Sequence, residues 1–121
     1  MNLKVVLGNI VDANTDAVLN CANCFLERGG GVCGAIFEKA GAKELEKECK
    51  EIRCCEIGKA VITKGYNLNA KYIIHAVGPI YRGRENDADL LKQSYLSALE
   101  LADKHEIKSF ALCSISTGIF G

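Results

Sequence analysis

Residues 20–37 read Asn-Cys-Ala-Asn-Cys-Phe-Leu-Glu-Arg-Gly-Gly-Gly-Val-Cys-Gly-Ala-Ile-Phe, and no other stretch limits the fold as tightly. An apolar run over 17–21 gives way to the asparagines Asn20 and Asn23, then to three consecutive glycines, and a helical pattern opens at Val32. That order reads as a strand, a loop of phosphate width and a helix start. Consecutive glycines let the backbone take positive φ and approach a ligand closely, while the unpaired N–H groups of the first helical turn point into the gap. Such a turn attracts anions.

A similar grammar closes the chain. Residues 109–115 read as a buried strand, and Ser116, Thr117 and Gly118 follow with hydroxyls and successive amides. Successive backbone N–H groups in a glycine-containing turn form an anion-binding concavity even without a helix. Two such loops suit a diphosphate. Neither loop fits the dinucleotide fingerprint, nor the P-loop, whose lysine is absent, and glycine also simply punctuates loops.

At 121 residues the chain is expected to form one domain spanning 1–121. Fifteen basic residues balance fifteen acidic ones, so no global field recruits nucleic acid or an anionic membrane. A small anion must then be held by local dipoles. No apolar run approaches the roughly 18 residues of a membrane span, and residues 1–8 are too short for a signal peptide. A cytoplasmic location is expected. The seven cysteines are odd in number and sit mostly in apolar strand or helix patterns, so reduced, buried thiols are expected rather than a disulfide framework.

Taken in order, 3–7 reads as a first strand and 17–21 as a second, whose near-continuous hydrophobicity argues for burial on both faces. Val32, Ala35, Ile36, Lys39 and Ala40 fall at helical spacing, with Gly41 as the break. A second helix over 43–53 carries Leu45, Cys49 and Ile52 on one stripe. Residues 59–63 alternate like an edge strand, and 71–77 form another buried strand stopped by Gly78 and Pro79. Leu91, Tyr95, Ala98, Leu99 and Ala102 define a helix over 88–104, and 107–115 supply the last strand. Strands alternating with helices predict a layered α/β domain, in which ligands bind beyond the carboxyl ends of the strands.

These residues resemble the macrodomain family of ADP-ribose-binding modules. The resemblance is carried by Gly8-Asn9-Ile10, by Asn20-Cys21-Ala22-Asn23 and by Gly29-Gly30-Gly31-Val32-Cys33-Gly34-Ala35-Ile36. It continues through Lys64-Gly65-Tyr66-Asn67-Leu68, Tyr72-Ile73-Ile74-His75-Ala76-Val77-Gly78-Pro79 and Ser116-Thr117-Gly118-Ile119-Phe120-Gly121. It implies a three-layer α/β/α fold with a mixed, mostly parallel sheet, missing the last helix-strand-helix of the family pattern. In that pattern a further strand lies between the first and last strands present here, so the first strand would lose its usual neighbour and expose a sheet edge.

The resemblance also implies a ligand, ADP-ribose or O-acetyl-ADP-ribose, and mono-ADP-ribosylated proteins as possible partners, with no cofactor, membrane or sequence-specific nucleic acid. Asn9 stands where the family has an aspartate that accepts from the adenine amino group; its carbonyl can still accept, without the charge. Ile10 would present its backbone N–H to the ring. Ala22 and Asn23 would line the distal ribose, with Asn23 bonding it. Gly30, Gly31, Val32, Cys33 and Gly34, together with Ser116, Thr117, Gly118, Ile119, Phe120 and Gly121, would wrap the diphosphate and ribose. Phe120 would lay its ring against the sugar.

The implied reaction is hydrolysis of ADP-ribosyl esters, with Asn23 and Cys33 as candidate catalytic residues. Cys33 marks a departure, because the hydrolytic branch often carries an aspartate there to activate water. A neutral thiol is a poor general base. A non-catalytic ADP-ribose-binding module is therefore the alternative, although the substrate's own diphosphate can also orient a water.

Other residues have plainer readings. Cys21 and Cys24 have C-x-x-C spacing, but Cys54 and Cys55 are adjacent to each other and lack the repeated ribbon spacing of a zinc site, so no metal is expected. His75, inside a buried strand, reads as a satisfied core histidine, and His105 as a partner of a helix dipole. Glu44, Glu46, Glu48 and Glu51 read as a solvated helix face.

Overall fold

The computed structural model describes residues 4–7, 10–27, 31–79 and 85–112, with the backbone alone for 4–7 and 31–32. The elements run β1 (Lys4–Leu7), a single 3₁₀ turn (Ile10–Asp12), β2 (Ala17–Cys21), α1 (Gly31–Ala40), α2 (Ala42–Ile52), β3 (Ala60–Lys64), β4 (Tyr72–Ala76), α3 (Asp87–Lys104) and β5 (Ser109–Leu112). They form a five-stranded sheet in the order β1-β5-β2-β4-β3. All pairings are parallel except β3 with β4. The mixed, mostly parallel sheet is as the sequence implies.

Strand alternation sorts the side chains between two apolar layers. Val18, Ile73 and Val77 face a cluster with Ile36, Phe37, Ala40, Leu45 and Cys49 from α1 and α2. Ala17, Leu19, Ile74 and Ala76 face the opposite cluster, with Ala98 and Ala102 of α3 and Phe110 of β5. Helices therefore cover both faces, which is why the central strands carry hardly any outward-facing polar residue. Among the described residues, no helix is long and apolar enough to cross a membrane.

The structure adds two particulars to the expected pattern. In place of the neighbour that the family pattern gives it, β1 pairs directly with β5 over Lys4↔Ser109 to Leu7↔Leu112, and it lies at an edge of the sheet. The buried face of α1 is Ile36, Phe37 and Ala40, while Ala35 and Lys39 are exposed. The periodic pattern predicted the helix but missed Phe37, because a stripe read from Val32 is turned slightly away from the one that meets the sheet. The α2 stripe of Leu45, Cys49 and Ile52 packs as expected.

The connections are pinned by side chains. Asp16 Oδ2 accepts from the backbone N–H groups of Lys108 (2.9 Å) and Ser109 (3.3 Å), and Ser109 Oγ accepts from Asp16 N–H at 2.8 Å, tying the start of β5 to the start of β2. At the other end of α3, His105 caps the helix with Nδ1 donating to Leu101 O at 3.0 Å, in keeping with the helix-end role expected of it.

Candidate functional site

The parallel strands β1, β2, β4 and β5 put their carboxyl ends on one edge, and the candidate residues gather there. The chain leaves β2 at Ala22, whose N–H donates to Ala76 O at 2.9 Å and extends the β2–β4 ladder by one residue. Ala22 is buried. Asn23 then turns the chain. Its Oδ1 accepts from the backbone N–H groups of Phe25 (3.1 Å) and Glu27 (3.0 Å), and its carbonyl accepts from Leu26 N–H at 3.0 Å. With Oδ1 committed to the turn, the amide Nδ2 is the group that can donate outward.

The chain returns as α1 at Gly31, so the helix start lies beyond the carboxyl end of β2. Gly31, Val32, Cys33 and Gly34 make up its first turn, whose N–H groups have no partner within the helix. Cys33 is half-buried and its thiol donates a long contact, 3.8 Å, to Glu27 O. This closes the helix start against the end of the Asn23 turn. Ile10 follows β1 at the same edge, with its side chain buried in the α1/α2 layer and its carbonyl accepting from Ala13 N–H at 3.3 Å. The structure thus brings together Ile10, Ala22, Asn23 and the α1 first turn. Asn9, Gly30, Ser116, Thr117, Gly118, Ile119, Phe120 and Gly121 lie outside the described residues.

Beside the turn is a cleft of about 270 Å³ lined by Phe25, Leu26, Glu27, Glu46, Cys49 and Lys50. It opens between the turn and α2, and it is below the roughly 300–1,000 Å³ usual for a small-molecule pocket. It borders the candidate site without being it.

Beneath the site runs a polar relay that the sequence did not disclose. Asn20, wholly buried, donates from Nδ2 to His75 Nδ1 at 2.9 Å. His75 Nε2 then carries the ring proton and donates to Thr63 Oγ1 at 2.8 Å, and that hydroxyl donates to Lys64 O at 3.3 Å. Phe37 covers the histidine edge-on, with ring centroids 6.4 Å apart. Burial holds the imidazole neutral, pushing its pKa down from 6.5 to about 3. The reading of His75 as a satisfied core residue therefore stands. Asn20 Oδ1 is buried with no hydrogen-bond partner among the described residues.

The glutamates of α2 are not all a solvated face. Glu48 Oε1 accepts from Tyr66 Oη at 2.6 Å and from Lys64 N–H at 3.2 Å, which ties α2 to the turn after β3. That bond pushes the Tyr66 phenol up to about 12. Acidic residues at helical spacing give no sequence signal for such a long-range acceptor. No disulfide joins Cys21, Cys24, Cys33, Cys49, Cys54 or Cys55, and no group of three or more His, Cys, Asp or Glu among the described residues could hold a metal ion.

This fold, a mixed sheet with helices on both faces, is that of solved macrodomains. The macrodomain of Oceanobacillus iheyensis with ADP is 38% identical and superposes with a TM-score of 0.89, covering 97% of this chain and 65% of that one. The family description "Macro domain" matches residues 19–121, and the chain belongs to that family. A macro domain-containing protein of Caldanaerobacter subterraneus is 49% identical over 98% of this chain and 70% of its own length. The mouse ADP-ribose glycohydrolase is 46% identical over 100% of this chain and 38% of its own. The chain thus spans about two thirds of the length of these bacterial relatives.

Proposed function

We propose that this chain binds ADP-ribose at the carboxyl edge of β2 and hydrolyses ADP-ribosyl esters there. The observation that carries the reading is the convergence of the Asn23 turn and the α1 first turn on one edge. The Asn23 amide is held by two backbone donors with its Nδ2 left to bond a ribose hydroxyl, and the helix start offers N–H groups suited to a phosphate. Structures of relatives support the ligand: the Oceanobacillus iheyensis macrodomain is seen with ADP, and a mutant of it with ADPR. The mouse glycohydrolase supports turnover.

In this reading the distal ribose is oriented by Asn23, the diphosphate lies over the α1 start, and a water attacks the ester to give ADP-ribose and a free acid. Suitable substrates are O-acetyl-ADP-ribose and mono-ADP-ribose on acidic side chains. Incubation with a Glu/Asp-linked mono-ADP-ribosylated protein should release ADP-ribose, and release no faster than from the Asn23→Ala variant would remove the hydrolase reading.

Cys33 favours a second reading, a module that binds without turnover. Its thiol is turned to Glu27 O and offers no base to a water. Calorimetry should then show ADP-ribose binding far more tightly than AMP, with Cys33→Asp gaining hydrolysis. A Cys33→Asp protein no faster than wild type would count against this alternative.

A further inference from the structure

The segment joining α2 to β3 lies against the Asn23 turn, and a cysteine stands on each side of the contact. Cys55 N–H donates to Cys24 O at 2.7 Å. Bond lengths across a single N–H···O contact this short hold the two α-carbons within about 6.5 Å of each other, inside the ~4.4–6.8 Å span of disulfides. Both side chains join one apolar cluster, Cys55 buried within it at 5% exposure and Cys24 half-buried against it. We propose that Cys24 and Cys55 form a reversible disulfide that staples the ligand-side turn to the α2–β3 connection.

The connection is a firm anchor. Gly58 N–H donates to Val77 O at 2.7 Å, Val77 N–H donates to Lys59 O at 3.1 Å, and Ser97 Oγ on α3 donates to Gly58 O at 2.7 Å. The turn at Asn23, by contrast, ends in the exposed Phe25 and Glu27. The bond would therefore join the more exposed segment to the more heavily hydrogen-bonded one. The backbone contact is already made, and for the bond to close the Cys55 thiol must leave its 3.7 Å contact to Glu56 O.

The oxidant is a low-molecular-weight disulfide such as glutathione disulfide. Cys24, the more exposed of the two, attacks one sulfur of it as the thiolate and expels one glutathione thiolate. Cys55 then loses its proton and attacks the Cys24 sulfur of the mixed disulfide, expelling the second glutathione. Two protein thiols are oxidised, one glutathione disulfide is reduced to two glutathiones, and the two protons released end on the leaving thiolates. Burial pushes the Cys55 thiol up to about 11, aided by its neighbours Cys54, Glu56 and Cys24. The second step should therefore quicken about tenfold per pH unit between roughly pH 7 and 9.

The experiment treats the reduced chain with glutathione disulfide and maps its peptides without reduction. A Cys24–Cys55 linkage is expected, with a rise in Tm of about 10 °C that dithiothreitol reverses and that Cys24→Ser and Cys55→Ala both abolish. Linkage through Cys54, a Cys33–Cys49 bond, or glutathione adducts alone would overturn the proposal. Its consequence for ligand binding rests on the ADP-ribose reading: a stapled turn is preorganised, and the oxidised form should bind ADP-ribose about threefold more tightly. Equal affinity of the two forms overturns that consequence. A protein that forms the bond but binds ADP-ribose in neither form counts against the proposed function alone.

Discussion

Asn23 has two tasks that a single substitution separates poorly, and their combination makes it a sharp probe. Asn23→Ala removes the acceptor of both Phe25 and Glu27 N–H groups, so it should cost about 1–2 kcal/mol in a urea titration as well as weakening ADP-ribose binding. Asn23→Asp retains the acceptor and loses Nδ2, and should keep the stability while still losing affinity. His75 makes a separate prediction. The unfolded chain takes up a proton near pH 6.5 that the native imidazole refuses until about 3, so stability is full above 6.5 and falls as the pH drops through that window. Between pH 6.5 and 5 the loss should be about 1–2 kcal/mol, and His75→Gln should flatten that slope in denaturant titrations, whatever its own cost. Legibility differed between these residues. Burial of His75 followed from its apolar neighbours in sequence, whereas its partner Asn20 lies 55 residues away and was placed only by the β2–β4 register.

At the scale of elements, apolar periodicity located every described helix and strand to within a few residues, because each central strand is buried on both faces and each helix has a dry stripe. What escaped it were the contacts between elements: the Phe37 face of α1, the direct β1–β5 pairing, and the Glu48 tether. None leaves a local pattern, since each depends on how separately formed pieces dock. The turn after β3 shows how strict that docking is. Gly65 N–H donates to Lys71 O at 2.8 Å and its carbonyl accepts from Leu68 N–H at 3.0 Å. A Cβ added there would sit 2.0 Å from Ala70 O, a backbone atom that cannot swing aside. Gly65→Ala should therefore destabilise the protein by about 3 kcal/mol, and a change of less than about 1 kcal/mol would show that the turn can open at little cost.

Across the whole molecule, the candidate site sits where the sheet is most supported. Strands β2 and β4 have neighbours on both sides, while β1 and β3 form the edges. Amide exchange should be slowest in β2 and β4 and faster in β1 and β3, and equal protection across the sheet would contradict this order. The site was legible only in part: the resemblance located Asn23 and the α1 start, but the reach of Asn23 Oδ1 to the Phe25 and Glu27 amides required the folded turn. The buried polar trio Asn20, His75 and Thr63 has one further consequence. All three point into the α1/α2 layer, and the side-chain period of a strand is two. If β2 slid by a single residue against its neighbours, Asn20 would swing into the hydrocarbon surroundings of Phe110 and Ala98, with no imidazole to receive it, at a cost of several kcal/mol. The trio thus works as a key cut for one alignment, and the same alignment delivers the following asparagine to the carboxyl edge of the sheet.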